Sequence, residues 1–488
     1  MANQTRRRFL ENTMLATAAA TAGGLMGQPI LQAAKANKSA NETVRVAVLG
    51  VNGRGRSHIN GFTGVENCDV VAVCDPDETV GHTKGVENVH KKTGKKPTYY
   101  QDLRRVMDDD SIDVVSIATP NHWHSLAAIW AMQAGKDVYV EKPVSHNIRE
   151  GRVMVDVARK EGRVCQAGTQ IRSNPGVIEG IKFLKEGGLG ELQVARALCY
   201  KRRKSIGHVG ETPVPKGVDY DLWLGPTPLR ADVPRKSLHY DWHWQWEYGN
   251  GDLGNQGIHQ MDVARWGIGA DTLADSVISF GGRFGYVDDG ETPNTEMSIM
   301  EYGDKLLVFE TRGLPTKHYL GGDAGGNDVG NIFHCENGYM KCSYTSAVVF
   351  DPDGNEIKRF SEGDDSYHYN NFVDAVRSRR VEDLNGEINE GHLSSALCHL
   401  ANISYRLGES SDFGAAPAGL AGNEYAVDVF ERTKSHLKDN NVDPSQVKFA
   451  MGPKLMVDKK TESFIDNAAA NALTTREYRK GYEVPAQA

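Results

Sequence analysis

Short apolar runs alternate with longer segments of helical spacing through the first third of the chain. Four of these runs, VRVAVLG, DVVAVCD, DVVSIATP and DVYVEKP, are rich in β-branched residues, as strands buried on both faces of a parallel sheet are. Segments long enough for helices, such as HSLAAIWAMQAG, separate them, and VCQAGTQ adds one more strand-like run. Strands that alternate with helices predict βαβ units, so we expect a parallel α/β domain over residues 43–168.

Beyond Gln170 the apolar runs are joined by Gly/Asp turns, and few long helices separate them. ELQVARALCYKR, DSVISFGGRFGYV, TEMSIMEY, KLLVFETR and GYMKCSYTSAVVFD are predicted strands, which favours a large, mostly antiparallel open sheet in an α+β domain. YNNFVDAVRSRR and HLSSALCHLANISYRL have the apolar spacing of helices that cover one face of the assembly. We expect this domain, for substrate binding and oligomer formation, over 169–411, and an extension over 412–488 that packs back on the protein.

The N-terminal segment carries a different kind of signal. Paired arginines, Arg6 and Arg7, precede a mildly apolar run of small residues, and residues 1–36 resemble a twin-arginine signal peptide. The pattern predicts a periplasmic or extracellular protein that is exported already folded. An N-terminal arm with no targeting role is the alternative.

The composition of the chain argues against several classes of function. A formal net charge of -8 argues against a nucleic-acid-binding surface, and the basic run KRRK at 201–204 is interpreted as a solvated loop. No apolar run approaches the roughly 20 residues that a membrane span needs. The seven cysteines include no CxxC pair, so buried free thiols are favoured, although Cys335 and Cys342 could form a disulfide.

The stretch GVNGRG lies between the first strand and a predicted helix, as a dinucleotide-binding loop does. Gly50 and Gly55 take the outer glycine positions of GxGxxG, and Asn52, which tolerates left-handed backbone, takes the middle one. Asp75 ends the second strand, where an acid accepts hydrogen bonds from the adenosine ribose and repels a 2′-phosphate, so NAD is favoured over NADP. A glycine turn in a nucleotide-free domain is the alternative. The expected cofactor contacts here are Gly50, Asn52, Gly53, Arg54 and Asp75.

Two further turns end predicted strands, TPNHWH at 119–124 and EKP at 141–143. Ligands of open α/β sheets lie at the carboxyl ends of strands, so both turns should face the nicotinamide half of the cofactor. Lys142, partly desolvated beside a cationic ring, should have a lowered pKa that suits a proton relay. His122 and His124 lack cysteine or carboxylate partners on their loop, so we expect no metal site. The expected contacts from these turns are Thr119, Pro120, Asn121, His124, Glu141 and Lys142.

The segment YDWHWQWEY, residues 240–248, places three tryptophans within five residues. Aromatic rings cover the apolar C–H faces of sugars while an indole N–H reaches a hydroxyl, which makes the segment a candidate sugar site. As an extended segment it would point the tryptophans to one side and His243 and Gln245 to the other, so a core role for half of these rings is equally open. The candidates are Tyr240, Trp242, Trp244, Trp246 and Tyr248.

The motifs GVNGRG, CDPD, TPNHWH, EKPVS, GNQGIHQMDVARW and HLANISYRLG, in this order, resemble the glucose-fructose oxidoreductase / inositol dehydrogenase / rhizopine-catabolism (Gfo/Idh/MocA) family over nearly all of residues 43–485. Exported members with twin-arginine signals are the most similar. The resemblance implies a Rossmann domain, an α/β domain whose open sheet often forms an oligomer interface, bound NAD(P), and chemistry on a sugar or polyol hydroxyl.

By the same resemblance, Lys142 falls on the active-site lysine of the family and His259 on the histidine of its DxxxH motif. Asn255 stands where many dehydrogenases of the family carry Asp. An amide cannot exchange a proton at neutral pH, although it can hold a sugar hydroxyl or cap a helix. Asp262 is expected in a helix-surface ion pair. Arg172 is a candidate substrate contact, with a solvated side chain as the alternative.

The leading hypothesis is an NAD-dependent oxidoreductase that acts on a carbohydrate, with His259, of pKa near 6.5, as base and Lys142 as proton relay or electrostatic anchor. Outside the cytoplasm no NAD pool would re-oxidise a released cofactor, so we expect the cofactor to stay bound. A redox-neutral glycosidase or lyase, which oxidises a glycoside transiently to a keto sugar and eliminates the leaving group, is the runner-up. A non-catalytic sugar- or nucleotide-binding protein is the third hypothesis. The sequence leaves the sugar, the oxidised carbon and the size of the expected homo-oligomer open.

Overall fold

Two β-sheets organise the chain in a computed structural model that describes residues 43–208, 212–228, 238–316, 320 and 328–488. The predicted export signal at 1–36 lies outside these residues. Within the described ranges, one sheet has six strands and the other has twelve. The α/β class predicted from the apolar runs is therefore confirmed.

The first sheet is parallel, in the order β3-β2-β1-β4-β5-β6. Its order reverses beside β1, which opens a crevice at the carboxyl ends of β1 and β4. The strands are β1 Val44–Leu49, β2 Cys68–Cys74, β3 Thr98–Tyr100, β4 Val114–Ile117, β5 Asp137–Val140 and β6 Cys165–Ala167. The helices between them are α1 Gly55–Thr63, α2 over residues 78–93 with a π-helical middle Gly81–Val86, α3 Leu103–Asp108, α4 Asn121–Gln133 and α5 Ile148–Glu161.

Both faces of this sheet are buried, which explains why its strands lack polar alternation. Val46 on one face joins a cluster with Phe372, and Ala47 on the other face joins a cluster with Tyr482. Phe372 belongs to α9, Tyr367–Ser378, and Tyr482 to the C-terminal extension. Later parts of the chain therefore cover the first sheet.

The second sheet runs in the order β14-β13-β12-β11-β7-β10-β9-β8-β16-β15, with β17 also paired to β8. The pair β7 and β10 is parallel, whereas the other pairs are antiparallel, so the mostly antiparallel sheet is confirmed. The strands are β7 Leu192–Tyr200, β8 Ser276–Gly282, β9 Thr295–Tyr302, β10 Lys305–Arg312, β11 Asp328–Cys335, β12 Gly338–Cys342, β13 Ala347–Phe350, β14 Glu356–Phe360, β15 Glu409–Asp412, β16 Lys448–Met451, β17 Leu455–Asp458 and β18 Ser463–Phe464.

Two helices cover one face of this sheet, and the first of them carries His259. They are α8, Ile258–Ile268, which follows a π-helical turn at Leu253–Gly257, and α10, Ile388–Arg406. Ile258 and Met261 are fully buried and belong to the same core cluster as Phe309 and Leu397. The remaining helices are α6 Pro175–Lys185, α7 Tyr220–Leu224, α11 Glu424–Asp439 and α12 Ala468–Ala472, with 3-10 turns at Gln170–Ser173, Asp241–Trp244, Val381–Asp383 and Pro444–Gln446.

The cysteines and helices bear on two sequence-based expectations. All seven cysteines are buried free thiols, including Cys335 and Cys342, as predicted. Within the described segments, no helix combines the length and apolar character that crossing a bilayer requires.

Candidate functional site

A single cleft lies at the carboxyl ends of the first sheet, beside the reversal in strand order, and extends to the start of α8. Every residue that the sequence suggests as a cofactor contact lines it. These residues are Gly50, Asn52, Gly53, Arg54, Asp75, Thr119, Pro120, Asn121, His124, Glu141 and Lys142. The cleft therefore brings together loops that are up to 92 residues apart in sequence, from Gly50 to Lys142.

The glycine loop between β1 and α1 is fixed by close backbone contacts. Gly50 has φ +76°, and a Cβ there would lie 2.7 Å from the carbonyl oxygen of Ala118. A Cβ on Gly55 would lie 1.9 Å from the carbonyl oxygen of Gly50. Gly53, in contrast, has no atom within 4 Å of its Cβ position. The loop is thus tightly packed behind and open in front, as a backbone cradle for a diphosphate must be.

Asp75 sits at the end of β2 with its carboxylate held by the backbone. One oxygen accepts the N–H of Val51 at 2.9 Å and the other accepts the N–H of Asp77 at 3.0 Å. Burial raises the pKa of Asp75 to about 6, so the group is ionised at neutral pH. Each carboxylate oxygen can accept a second hydrogen bond, which leaves capacity for the hydroxyls of a ribose.

Glu141 joins the glycine loop to the end of β5. Its Oε1 lies 2.7 Å from Nε of Arg54, 3.1 Å from Nε2 of His58 and 3.0 Å from Nε2 of Gln170. Burial alone would raise the pKa of Glu141, but the Arg54 guanidinium and His58 hold it well below the usual range. Arg54 and Glu141 thus bind each other, and their charges balance inside the cleft.

Lys142 crosses from the first domain to the head of α8. Its Nζ donates to the backbone oxygen of Asn255, 2.5 Å away, in the π-helical turn. Burial lowers the pKa of Lys142 to about 8; Glu141 opposes this shift, and nearby cations, Arg54 first, add to it. A substantial fraction of the amine is neutral at mildly alkaline pH. Asn255 holds the lysine through its main chain, and its side chain is left to face the cleft that it lines.

His259 lies one helical turn beyond Asn255 and outside the set of residues that line the cleft. The residue is 9% exposed, its Nδ1 is buried without a hydrogen-bond partner, and its ring meets Tyr344 edge-on at 5.5 Å. Burial, followed by the charge of Lys142, holds the pKa of His259 well below its ordinary value. The expectation of an imidazole pKa near 6.5 is therefore wrong, because the sequence does not reveal this burial.

The aromatic segment is not extended, so the predicted alternation of its side chains is wrong. Asp241–Trp244 forms a 3-10 turn, in which successive side chains point in directions about 120° apart. Tyr240 and Trp242 line the cleft, whereas Trp244 and Trp246 lie outside its lining and contact Arg203 and Arg406 respectively.

His243 lines the cleft although the extended pattern pointed it away from the tryptophans. Its ring stacks on Trp242 with centroids 3.6 Å apart. Tyr248 is fully buried against Trp223 and belongs to a core cluster. For this ring, the core role is the one that the structure shows.

Arg172 belongs to a buried ion network and does not line the cleft. Its guanidinium binds Asp262 at 2.8 Å and Glu390 at 3.0 Å, and lies over the ring of Trp266. Because the guanidinium is buried and paired with two carboxylates, Arg172 is corrected from a substrate contact to a structural residue. The helix-surface ion pair expected for Asp262 is also wrong, since that carboxylate is only 1% exposed.

The basic run after β7 is the feature that sequence reasoning missed. Lys201 donates to Oε1 of Gln256 at 3.0 Å, and Arg203 binds the carboxylate of Asp252 at 2.5 Å and the hydroxyl of Tyr240 at 3.1 Å. Arg202 and Lys204 are exposed. The prediction of a solvated loop is therefore wrong for Lys201 and Arg203. In an extended chain every second side chain points to the same side. This alternation was the signal in the sequence that two of the four basic residues would point inward.

The histidines of the segment TPNHWH are hydrogen-bonded to backbone carbonyl groups. His124 places Nδ1 2.6 Å from the carbonyl oxygen of Pro143 and Nε2 2.8 Å from that of Thr119, and Nε2 of His122 lies 2.9 Å from the carbonyl oxygen of Trp223. Throughout the described part of the chain, no group of three or more His, Cys, Asp or Glu side chains is arranged to hold a metal ion.

Comparison with curated proteins gives partial matches. A protein of Shewanella sp. strain ANA-3 named "Glycosyl hydrolase family 109 protein 1" is 33% identical over 155 residues, 31% of this chain and 34% of that protein. An "Alpha-N-acetylgalactosaminidase" of Shewanella oneidensis is 32% identical over the same shares. The chain thus matches about a third of the length of these relatives.

Solved structures share the fold. Levoglucosan dehydrogenase in complex with NADH and levoglucosan superposes with a TM-score of 0.56 at 16% identity, over 74% of this chain and 96% of that one. The WlbA dehydrogenase from Bordetella pertussis, in complex with NADH and UDP-GlcNAcA, superposes with a TM-score of 0.54 at 17% identity, over 75% and 97%.

Family models match both domains. Residues 44–169 match the GFO_IDH_MocA model, described as an oxidoreductase family with an NAD-binding Rossmann fold. Residues 200–282 match the corresponding C-terminal alpha/beta domain. The two matches follow the order of the domains in the structure, and these parts of the chain are similar to the Gfo/Idh/MocA oxidoreductase family.

Proposed function

We propose that the protein is an NAD-dependent oxidoreductase that acts on a hydroxyl group of a sugar or glycoside. The observation that carries this proposal is the meeting of Lys142 and the head of α8 at one end of a cleft whose other end holds Asp75 and the glycine loop. When bound, NAD supplies the hydride acceptor. The protein has to hold the cofactor, position a carbohydrate hydroxyl and manage one proton.

The residues of the cleft fit the cofactor. Gly53 leaves open space where a diphosphate needs close backbone approach, and Asp75 offers ionised oxygens to a ribose. Oγ1 of Thr119 is buried without a hydrogen-bond partner although its residue lines the cleft. Such an orphaned hydroxyl supports a polar ligand at the middle of the cleft. The Asp75 carboxylate favours NAD over NADP by charge repulsion.

The pKa values of Lys142 and His259 indicate which of the two groups accepts the substrate proton. A proton that leaves the substrate hydroxyl ends on the group with the higher pKa, which is Lys142 rather than His259. The Asn255 carbonyl fixes the lysine, while His259, one helical turn beyond Asn255, stays neutral and takes no proton. This reverses the roles expected from the sequence, where His259 was the base and Lys142 the relay. Tyr240, Trp242 and the Asn255 amide would hold the sugar ring.

The test is to add carbohydrates to the purified protein and follow the absorbance of reduced nicotinamide together with the products. A stable keto sugar or lactone supports the oxidoreductase. Lys142→Met should abolish the signal while the nucleotide content stays unchanged. Full activity in both Lys142→Met and His259→Asn would overturn this assignment of roles.

A second candidate is a redox-neutral glycosidase that uses the same site through a transient keto sugar. The specific observation in its favour is that one curated relative is named a glycosyl hydrolase family 109 protein and another an alpha-N-acetylgalactosaminidase. A ketone acidifies the neighbouring C–H group, so the amine of Lys142 would serve as the base of an elimination. Cleaved glycoside without net change in nicotinamide absorbance would support this candidate.

We further propose that the protein is exported folded by the twin-arginine route to the periplasm or beyond, with its cofactor retained, and that it forms homo-oligomers. The Arg6 and Arg7 pattern supports the first point. Export of a fluorescent reporter fused to residues 1–36, and its loss in Arg6→Lys/Arg7→Lys, tests it. The open sheet supports the second point, and light scattering of the purified protein tests it.

A further inference from the structure

One histidine of the aromatic segment, His243, lies in the wall of the cleft. Its side chain lines the cleft together with Lys142, whereas His259 lies outside that lining. The extended pattern expected for the segment had turned this ring away from the tryptophans, so it was not among the predicted site residues. Its hydrogen bonds and ring contacts indicate what it offers to a ligand.

The imidazole of His243 is held in one orientation. Its ring stacks on Trp242 with centroids 3.6 Å apart and lies 4.8 Å from the ring of Tyr240. Nδ1 lies 2.5 Å from the backbone oxygen of Tyr240, at the start of the 3-10 turn. Gly249 packs against the backbone of the histidine, since a Cβ at this glycine would lie 2.7 Å from Cα of His243. The segment therefore presents the ring to the cleft as a fixed group.

The hydrogen bond to Tyr240 also determines which ring nitrogen carries the proton. A carbonyl oxygen can only accept, so Nδ1 is the protonated nitrogen of the neutral ring and Nε2 keeps its lone pair. The ring is neutral because burial lowers the pKa of His243 to about 3, and Lys142 is the first of the cations that add to this shift against the hydrogen bond to Tyr240. At Nε2, His243 thus offers an acceptor that has no proton to donate.

This acceptor is free. Among the residues that the structure describes, none forms a hydrogen bond with Nε2 of His243. The side chain is half-buried, and Nε2 does not belong to the fully buried polar atoms that lack a partner, so a ligand can reach it. A sugar ring carries adjacent hydroxyls, each of which can donate one hydrogen bond. Lys142 and His243 give the same cleft one group that takes a proton and one that only accepts a hydrogen bond, which matches two hydroxyls with different fates.

We propose that His243 selects the substrate by accepting, at Nε2, a hydrogen bond from a hydroxyl on the carbon next to the one that is oxidised. The substrate class is then a sugar or glycoside with two adjacent free hydroxyls. The proposal rests on the proposed function, in which Lys142 takes the proton of the reacting hydroxyl. His243 is a binding residue in this scheme and exchanges no proton.

The first test varies the substrate. Methyl α- and β-D-glucopyranoside and galactopyranoside are compared with their 2-, 3-, 4- and 6-deoxy and deoxyfluoro analogues, with reduced nicotinamide as readout. Loss of the reacting hydroxyl abolishes turnover, and loss of one neighbour should reduce kcat/KM about 10- to 100-fold, because Nε2 is then left desolvated and unpaired. The deoxyfluoro analogue at that neighbour keeps the size of the hydroxyl but cannot donate, so it should lose as much.

The second test varies the histidine. His243→Gln places an amide oxygen near the position of Nε2 and should retain most of the discrimination. His243→Asn keeps a donor for the Tyr240 carbonyl but has no acceptor at that position, so the penalty for the deoxy sugar should shrink to less than about threefold. His90→Asn, at an exposed histidine of α2, should leave the kinetics of all substrates unaltered.

A binding measurement makes the proposal independent of turnover. Trp242 lines the cleft and stacks on His243, so tryptophan fluorescence reports on a sugar bound there. The methyl glycoside should quench this fluorescence at lower concentration than the deoxy analogue in the wild type, and at similar concentration in His243→Asn. If His243→Asn fails to fold, the deoxyfluoro series with the wild type and with His243→Gln decides the point.

Three results separate this proposal from the proposed function. Equal losses at every deoxy position, or an unchanged penalty in His243→Asn, would overturn the role of His243 and leave the oxidoreductase standing. Selective quenching without any turnover would support the acceptor site and overturn the proposed function. Absence of both quenching and turnover with all of these glycosides would overturn both.

Discussion

The lowered pKa of Lys142 makes a quantitative prediction about the pH dependence of the reaction. If Lys142 accepts the substrate proton, only its neutral form is active, so the rate of sugar oxidation should rise with pH through the pKa of this amine. Burial, with Arg54, Lys201 and Arg203 nearby, brings that pKa from the ordinary 10.5 to about 8.

The size of the expected effect follows from the ordinary pKa of a lysine and the lowered pKa of Lys142. At pH 7 an amine of pKa 10.5 is about 0.03% neutral, and an amine of pKa 8 is about 9% neutral, roughly a 300-fold difference. We therefore expect kcat/KM to increase about tenfold per pH unit below pH 7.5 and to level off above about pH 8.5. His259, whose pKa lies well below 6.5, should add no inflection between pH 6 and 7.

The assay is kcat/KM for the best substrate of a carbohydrate panel, measured from pH 5.5 to 9.5 at constant ionic strength. Lys142→Arg is the sharpest variant, because arginine keeps the charge and a donor for the Asn255 carbonyl but cannot become neutral. It should lose activity at every pH while retaining bound nucleotide. Lys204→Arg, at an exposed position, should reproduce the wild-type profile.

A profile with its inflection near pH 6.5 would refute this reasoning and return the role of base to a histidine. Substantial activity in Lys142→Arg would refute it as well, since no neutral amine would then be needed. If the wild-type rate fell as the pH rose, the reaction would require a protonated group instead of a neutral amine.

Three further variants test other parts of the structure. Asp75→Ala should raise the dissociation constant for NAD by about 10- to 100-fold and reduce discrimination against NADP, measured by titration of apo-protein; unchanged NAD affinity would remove the ribose contact. Gly53→Ala meets no atom within 4 Å, so it should fold with wild-type circular dichroism and yet bind NAD about tenfold more weakly; wild-type affinity would show that the diphosphate lies elsewhere. Arg172→Met leaves the buried Asp262 carboxylate without its cation and should lower the free energy of unfolding by about 3–5 kcal/mol in urea titrations; Arg172→Met/Asp262→Leu should recover much of this loss, and a wild-type stability of the single variant would contradict the ion network.

The first domain was predictable because burial on both faces leaves a direct trace in sequence. β1, β2, β4 and β5 are runs of apolar residues without alternation, and the turns that end them lie at the same edge of the sheet. β3, Thr98–Tyr100, was missed because three residues give no pattern. β11, Asp328–Cys335, was missed because glycine, asparagine and histidine interrupt its apolar positions.

The site residues that were misjudged depend on contacts that no local pattern records. Arg172 and Asp262 are 90 residues apart, and nothing near either of them indicates the ion pair. The period of two in the tryptophan segment is typical of a strand, yet hydrogen bonds of a 3-10 turn set its geometry. The pKa of His259 depends on burial between α8 and its neighbours, which becomes apparent only after the chain has folded.

The proposed reaction depends first on the identity of the cofactor in the cleft. The most direct measurement is to purify the protein without added cofactor, denature it, and identify and quantify the nucleotide that is released. The cleft with Asp75 and the glycine loop predicts NAD rather than NADP, at about one molecule per chain. A preparation that releases no nucleotide and does not take up added NAD would contradict a dinucleotide site in the cleft.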